Sequence, residues 1–505
     1  MNLSDWISGW AAFQPEKTAI RFEGQALSYA ALDARIRRAA SVLEDRLGVR
    51  RGDRIAHLGL NSPDLLVLLF AAARIGAMLC PLNWRLAAPE HGFILTSARP
   101  KALFVEAEFQ AQTESILAAI GPVALIGWGA VRDGWQDWAE LLAEAKDDVL
   151  SPSGHLEDGA LLVYTSGTTG RPKGAVLTQN ALFWNAVNSN HAHDLTSNDH
   201  VLSFLPMFHV GGMNIQTLPV LHAGGLVTLM RRFDPDGFYD ALETQRPTLT
   251  VMVPAIMQAL QAHPRWAGAD FSCLKLINAG SSTIPLALIE PFHARGVPVC
   301  QVYGSTETAP IAVYLRREDA MERIGSTGKP AIHCALRILR DDGTPCETDE
   351  PGELWVKGPN VMSGYWQDEA ATAEVLQDGW FRTGDVGYRD ADGFVWINDR
   401  RKDLIISGGE NIYPAELENV LAAIPGIREC AVVGRPDSRW GEVAVAVVVG
   451  AGLDRDTVLA PFEGRLARFK HPKDVVFVDS LPRNVMGKVL KYELRAVVAR
   501  MMKEP

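Results

Sequence analysis

Through the first four hundred residues, short apolar runs without polar alternation take turns with stretches of helical spacing, and this alternation limits the fold more than any other feature. Arg54-Ile55-Ala56-His57-Leu58-Gly59-Leu60 comes before an apolar helical stretch that starts at Leu65. Leu226-Val227-Thr228-Leu229-Met230 comes before a helix expected around Phe238 to Gln245. Strands buried on both faces and interleaved with helices form parallel sheets with the helices packed over them. The expected architecture is α/β, with a large N-terminal domain of helix-covered β-sheets. The longest apolar stretch, Leu65 to Cys80, is interrupted by Arg74 and is too short to span a hydrocarbon core. It reads as a buried helix followed by a strand.

From about Ile338 the texture changes to short strands and acidic turns, Asp341-Asp342-Gly343, Asp349-Glu350-Pro351-Gly352 and Asp390-Ala391-Asp392-Gly393, which predict a β-rich subdomain. After the strand Phe394 to Ile397 comes the charged run Arg400-Arg401-Lys402-Asp403. A helix from about Pro414 to Ala423, strands at Glu429 to Val433 and Val443 to Val449, a further helix, a strand at Val475 to Val478 and a last helix complete a compact α+β unit. A chain of 505 residues exceeds what one core supports, so the expected division is 1–399, a connection at 400–403, and a small domain at 404–505.

Charge narrows the partners. With 49 basic and 60 acidic residues the formal net charge is −11, which argues against nucleic acid as the main ligand. Residues 403–505 are balanced at 14 basic and 14 acidic groups, whereas 455–505 hold 11 against 6. That basic segment suits a polyphosphate-bearing ligand as well as it suits a solvated basic helix. The six cysteines, Cys80, Cys273, Cys300, Cys334, Cys346 and Cys430, form no CxxC pair, and neither they nor His191, His193, His209 and His222 fall at transition-metal spacings. Reduced thiols and a cytoplasmic location are expected, the start Met1-Asn2-Leu3-Ser4-Asp5-Trp6 lacking the features of a secretory signal. Arg35, Arg37, Arg38, Arg46, Arg50, Arg51 and Arg54 form a dense basic group, either a solvated helix face or a weak peripheral contact with membrane. Oligomeric state is not legible.

The segment richest in chemistry is Tyr164-Thr165-Ser166-Gly167-Thr168-Thr169-Gly170-Arg171-Pro172-Lys173-Gly174, placed after the apolar strand Ala160 to Val163. Hydroxyls, glycines and a lysine on a loop after a strand supply donors that wrap a polyphosphate. The lysine is not at Walker spacing. The segment resembles the phosphate loop of the adenylate-forming superfamily, and further segments resemble that family's motifs in order. These are Tyr303-Gly304-Ser305-Thr306-Glu307, Phe381-Arg382-Thr383-Gly384-Asp385, Asp399-Arg400-Arg401-Lys402-Asp403, Ser407-Gly408-Gly409-Glu410-Asn411-Ile412-Tyr413-Pro414 and Pro482-Arg483-Asn484-Val485-Met486-Gly487-Lys488.

The resemblance implies an ATP-dependent, AMP-forming acyl-CoA synthetase using ATP, Mg²⁺ and coenzyme A. It places ATP at Thr165, Ser166, Gly167, Thr168, Thr169, Gly170 and Lys173, at the turn Gly280-Ser281, at Tyr303, Gly304 and Thr306, and at Asp385 with Arg400 on the ribose. Glu307, an acid beside small hydroxyl residues, suits a hydrated Mg²⁺, and the resemblance assigns it that metal. Lys488 is implied as the catalytic cation, Lys402 as the hinge of a mobile small domain, and Gly408 and Gly409 as the path of the pantetheine arm. Arg85, Trp440, Phe469 and Lys470 resemble positions that hold the CoA nucleotide. His209 resembles the aromatic gate beside the acid. The acyl pocket is expected at Gly211, Gly212, Met213, Ala279, Ala309, Pro310 and Ile311, with room left by the glycines. These residues offer no charge to pair an amino acid or a dicarboxylate. A medium- or long-chain fatty acid is the expectation, with a ferulate- or coumarate-type acid as the alternative. An adenylation domain serving a carrier protein in trans and a silent acyl or nucleotide sensor are the rival readings.

Overall fold

The computed structural model describes the chain outside residues 147–151, 166–171, 281–283, 401–402, 408–409, 438–439, 464–465, 467, 484–488 and 503–505, and the backbone alone at 399–400, 406, 410–411 and 469. The long apolar run folds as anticipated, into the buried helix Pro63–Ile75 followed by the strand Met78–Pro81. The Arg74 that interrupts it is buried with it, and its Nη1 donates to Ser4 Oγ at 3.2 Å.

Two sheets face each other across the principal core. In the nine-stranded sheet, Val299–Tyr303, Leu276–Ala279, Leu249–Met252, His200–Ser203, Leu226–Leu229 and Thr18–Phe22 are parallel neighbours in that order, with antiparallel strands at both edges. The eight-stranded sheet has Gly159–Thr165, Met78–Pro81, Arg54–Leu58 and Ala102–Glu106 in parallel, and Lys173–Thr178 returning antiparallel to Gly159–Thr165. Ile55, Leu79, Phe104 and Leu161 from one sheet and Ile20, Val201, Val227 and Leu276 from the other enclose Leu66 and Phe70 of the buried helix. Helices Pro235–Thr244, Pro254–Gln261 and Leu286–His293 cover the outer face of the nine-stranded sheet, and Ala88–Ala98 packs on the outer face of the eight-stranded one. Because both sheets are covered on both faces, their strands read as unbroken apolar runs.

The β-rich subdomain is an antiparallel sheet built on Ala335–Leu339, Gly352–Lys357, Trp380–Arg389 and Val395–Arg400. In the small C-terminal unit, Ala444, Ala446 and Val448 pack toward Leu417 and Leu421 of helix Pro414–Ala422, while Val445, Val447 and Val449 pack toward Leu494 and Val498 of helix Lys491–Met501.

The arginine-rich segment does not form a free basic patch. Arg35 pairs with Asp64 at 2.7 Å, Arg37 with Asp33, Arg46 with Glu144 at 2.5 Å and Arg51 with Asp158 at 2.7 Å. Arg50 and Arg54 donate to the carbonyls of Glu44 and Ala98. These groups fasten helices and loops to one another. Among the described residues no helix is long and apolar enough to cross a membrane, and all six cysteines are free thiols.

Candidate active site

Loops at the carboxyl ends of parallel strands gather the side chains of α/β sites, and several of the expected residues lie there. Thr165 ends the strand Gly159–Thr165, Lys173 opens the returning strand, Ala279 ends Leu276–Ala279 with Gly280 next to it, and Tyr303 ends Val299–Tyr303 with Gly304 next to it. Between Thr165 and Lys173 the hairpin closes, with Thr165 Oγ1 3.5 Å from the Lys173 carbonyl. Ser166, Gly167, Thr168, Thr169 and Gly170 lie outside the described residues, as do Ser281, Lys402, Gly408, Gly409, Lys488 and the side chains of Arg400 and Phe469.

Tyr303, Asp385 and Arg400 are brought together from three motifs. Tyr303 packs among Val313, Ile338, Leu354 and Val395, so it bridges the nine-stranded sheet and the β-rich subdomain. Its hydroxyl donates to Asp385 Oδ2 at 2.9 Å. Asp385 is directly opposite Arg400 in the antiparallel register of Trp380–Arg389 and Val395–Arg400, and its N–H donates to Thr383 Oγ1 at 3.1 Å. A carboxylate is an acceptor-only group, of the kind that takes the hydroxyls of a vicinal diol.

Gly304 is glycine because the chain folds back against it: a Cβ there would stand 1.6 Å from the Pro310 carbonyl oxygen. Thr306 and Glu307 lie in the short turn Thr306–Thr308 and both are buried. Glu307 Oε1 accepts the Tyr365 hydroxyl at 2.9 Å, and the Lys173 ammonium lies 5.3 Å from the centre of the Tyr365 ring. Lysine and carboxylate thus meet one tyrosine, a residue that no sequence motif singled out. Among the described residues no three His, Cys, Asp or Glu side chains could jointly hold a metal ion. A lone carboxylate fits Mg²⁺, which keeps several waters and completes its shell with substrate phosphates.

The expected acyl-pocket residues fall on two sides of the nine-stranded sheet. Ala279 and Ile311 join the core shared with Phe204, Ile215, Met252 and Val302, whereas Met213 and Ala309 face the core between the sheets. Gly211, Gly212 and Met213 lie in the short helix Val210–Asn214, and Pro310 is buried beside Ile311. The space expected over Gly212 is filled, because a Cβ there would meet the carbonyl oxygens of Pro206 at 2.4 Å and Leu205 at 2.7 Å. That corrects the expectation that this glycine leaves room for an acyl chain.

His209 begins that helix, and its carbonyl accepts the Met213 N–H at 3.0 Å. Burial first, and the nearby positive charge of Arg85 second, lower its pKa to about 4, so the imidazole is neutral at physiological pH. The same Arg85 guanidinium lies 4.8 Å from the Trp84 ring, and Trp84 stands edge-on to Phe208 at 6.4 Å. Arg85 is therefore part of the His209 surroundings. On the small domain, Lys470 pairs with Glu416 at 2.8 Å, and the side chain of Trp440 is exposed while its backbone N–H donates to Asp437 Oδ1 at 3.0 Å.

Three buried asparagines that the sequence did not flag hold these loops. Asn61 Nδ2 donates to the carbonyls of Leu205 at 2.9 Å and Met230 at 3.1 Å, and its Oδ1 accepts the Met207 N–H at 2.9 Å. Asn185 Oδ1 accepts from Ile311 N at 3.0 Å, and Asn360 Nδ2 donates to the carbonyls of Thr308 at 2.6 Å and Ile311 at 2.9 Å.

Comparison with known proteins agrees with this geometry. The family model of the AMP-binding enzymes matches residues 7–366, and that of their C-terminal domain matches residues 416–488. The chain is 51% identical over 504 residues to an indoleacetate–CoA ligase of Aromatoleum aromaticum, with 99% of each chain covered. It is 45% identical over 497 residues to a feruloyl-CoA synthase of Amycolatopsis, with 98% of each covered. It matches the structure of o-succinylbenzoate coenzyme A synthetase from Bacillus subtilis in complex with ATP and magnesium ion at a TM-score of 0.87 and 34% identity, covering 98% of this chain and 99% of that one. The silent-sensor reading gives way to an enzyme. The chain belongs to the AMP-binding enzymes of the adenylate-forming superfamily, among its acyl- and aryl-CoA ligases.

Proposed function

We propose that the acid is an aromatic carboxylic acid of the arylacetate or phenylpropenoate type, converted to its CoA thioester through an acyl-adenylate. The observation that carries this reading is the full-length identity to ligases named for indoleacetate and ferulate, 51% and 45%. The aromatic acid thus moves ahead of the fatty acid that the sequence favoured.

In this reading the hydroxyl loop with Lys173 holds the phosphates, Tyr303 lies against adenine, and Asp385 with Arg400 takes the ribose diol. Glu307 would hold Mg²⁺, which supplies charge neutralisation at the phosphates when bound. Neutral His209, beside Phe208 and Trp84, orients the acid without exchanging a proton near neutral pH. Lys488 bridges the carboxylate and the α-phosphate while a carboxylate oxygen bonds to phosphorus and pyrophosphate leaves. The domain 404–505 then turns about Lys402 and brings Gly408 and Gly409 to the site. The CoA thiol, losing its proton, attacks the acyl carbon and AMP departs. Arg85, Trp440, Phe469 and Lys470 are the candidate contacts of the CoA nucleotide.

The test is pyrophosphate release and thioester formation with indoleacetate, phenylacetate, ferulate, coumarate, octanoate and palmitate, each with and without CoA. Arylacetates or phenylpropenoates should give the highest kcat/KM. A maximum at octanoate or palmitate would overturn the assignment. Lys488→Ala should lose adenylate formation by roughly 10² or more while still converting supplied acyl-adenylate and CoA to thioester.

A further inference from the structure

Lys173 opens a strand of the eight-stranded sheet, Glu307 lies in a turn that follows a strand of the nine-stranded one, and one segment of chain is fastened to both. At one end, the Met362 N–H donates to the Glu307 carbonyl at 2.8 Å, beside the Asn360 amide on the Thr308 carbonyl. At the other, the Ser363 N–H donates to the Val176 carbonyl at 3.0 Å and the Trp366 N–H to the Gly174 carbonyl at 2.7 Å. Between these anchors Tyr365 is opposite Ala175 in antiparallel register, two residues along the strand from Lys173. Its backbone is therefore set by the phosphate-loop strand, while its hydroxyl reaches Glu307 Oε1 at 2.9 Å.

A glutamate side chain rotates about three torsions, and a single carboxylate that must accept from metal-bound water gains from having one oxygen fixed by a donor. A cation over an aromatic face is likewise held by the quadrupole of the ring. We propose that Tyr365 is a positioning residue for the metal–nucleotide assembly. Its O–H fixes the Glu307 carboxylate so that the second oxygen is presented to the metal, and its ring holds the Lys173 ammonium toward the phosphates. The inference rests on Glu307 as the magnesium ligand.

Binding of ATP, measured by titration calorimetry on the full chain in excess EDTA and across a Mg²⁺ series, separates the two functions of the ring. Tyr365→Phe keeps the aromatic face and loses the donor. Its ATP affinity in EDTA should stay within about twofold of wild type, while the Mg²⁺ concentration needed for half of the metal-dependent gain rises roughly tenfold. Tyr365→Leu loses the face as well and should weaken ATP binding in EDTA too. Glu307→Gln is the reference for the metal. If Glu307→Gln shifts the Mg²⁺ series and Tyr365→Phe does not, the positioning role falls and the metal assignment stands. If Glu307→Gln leaves the series unshifted, the metal assignment falls and the positioning role with it. Equal weakening of ATP binding by Tyr365→Phe with and without metal would mark the tyrosine as packing only and overturn the inference.

Discussion

Replacement of Asn61 tests whether the His209 loop, the proposed gate for the acid, is held from the opposite sheet. Asn61 follows the strand Arg54–Leu58 of the eight-stranded sheet, yet its amide makes three hydrogen bonds to segments of the nine-stranded one. In Asn61→Ala the Met207 N–H and the Leu205 carbonyl, both in buried residues, lose the amide. A buried polar group without a partner costs about 1–3 kcal/mol, so the two together predict a loss of roughly 2–6 kcal/mol if the loop stays in place. If the loop shifts to reach other partners, part of that energy is recovered and His209, two residues past Met207, moves with it. Stability is read from the urea midpoint and function from separate KM values for acid and ATP. The expected pattern is a lower midpoint with kcat/KM for the acid reduced on the order of tenfold or more by the misplaced gate, and KM for ATP little changed. Asn61→Asp sharpens the test, because it still accepts from Met207 but opposes two carbonyls with a carboxylate. An Asp variant milder than the Ala variant, or parallel rises of both KM values, would refute the reasoning.

Other perturbations have equally definite outcomes. Gly304→Ala forces a methyl into the Pro310 carbonyl and should abolish pyrophosphate release, whereas wild-type rates would show that this close approach is dispensable. Burial lowers the pKa values of His57 to about 3 and of His193 and His200 to about 4, so between those values and about 6.5 each binds fewer protons folded than unfolded. Stability should therefore fall as pH drops below 6.5, by up to about 1.4 kcal/mol per pH unit per histidine, and the loss should level off below the folded values. Urea midpoints at pH 7, 6 and 5 measure this, and a flat series would contradict it. Burial pushes the thiols of Cys80 and Cys300 up to about 12, so a disulfide reagent should leave both unlabelled in the native enzyme, and rapid labelling would contradict that.

The motifs that carry the family resemblance were legible because each is a short local run whose residue types match a single chemistry, as in Tyr303 through Glu307. The layered α/β architecture was legible for a similar reason, since two-sided burial writes an uninterrupted apolar run into every strand. What escaped reading acts across long stretches of chain. Tyr365 reaches Glu307 over 58 positions, Asn185 reaches Ile311 over 126 and Asn61 reaches Met207 over 146. An asparagine buried among hydrophobic neighbours carries no local mark that separates it from a turn residue. Gly212 misled for the opposite reason. A glycine signals that a side chain does not fit, and only the positions of the Leu205 and Pro206 carbonyls decide whether the excluded volume belongs to a ligand or to the chain.

The two facing sheets divide the work unevenly. The loop joining Gly159–Thr165 to Lys173–Thr178 belongs to the eight-stranded sheet, while the His209 loop, Ala279 and Ile311 all follow strands of the nine-stranded one. On the reading above, the hydroxyl loop and the acid pocket lie on different sheets, with Tyr303 and Glu307 bringing the nine-stranded sheet to the nucleotide and Asn61 tying the eight-stranded one to the His209 loop. Substitutions on the outer face of the nine-stranded sheet can then retune which acid enters, while the opposite sheet goes on handling a triphosphate that never changes. An engineer seeking a new acid would randomise around Ile215, Met252, Ala279 and Ile311 and leave the hairpin after Gly159 alone.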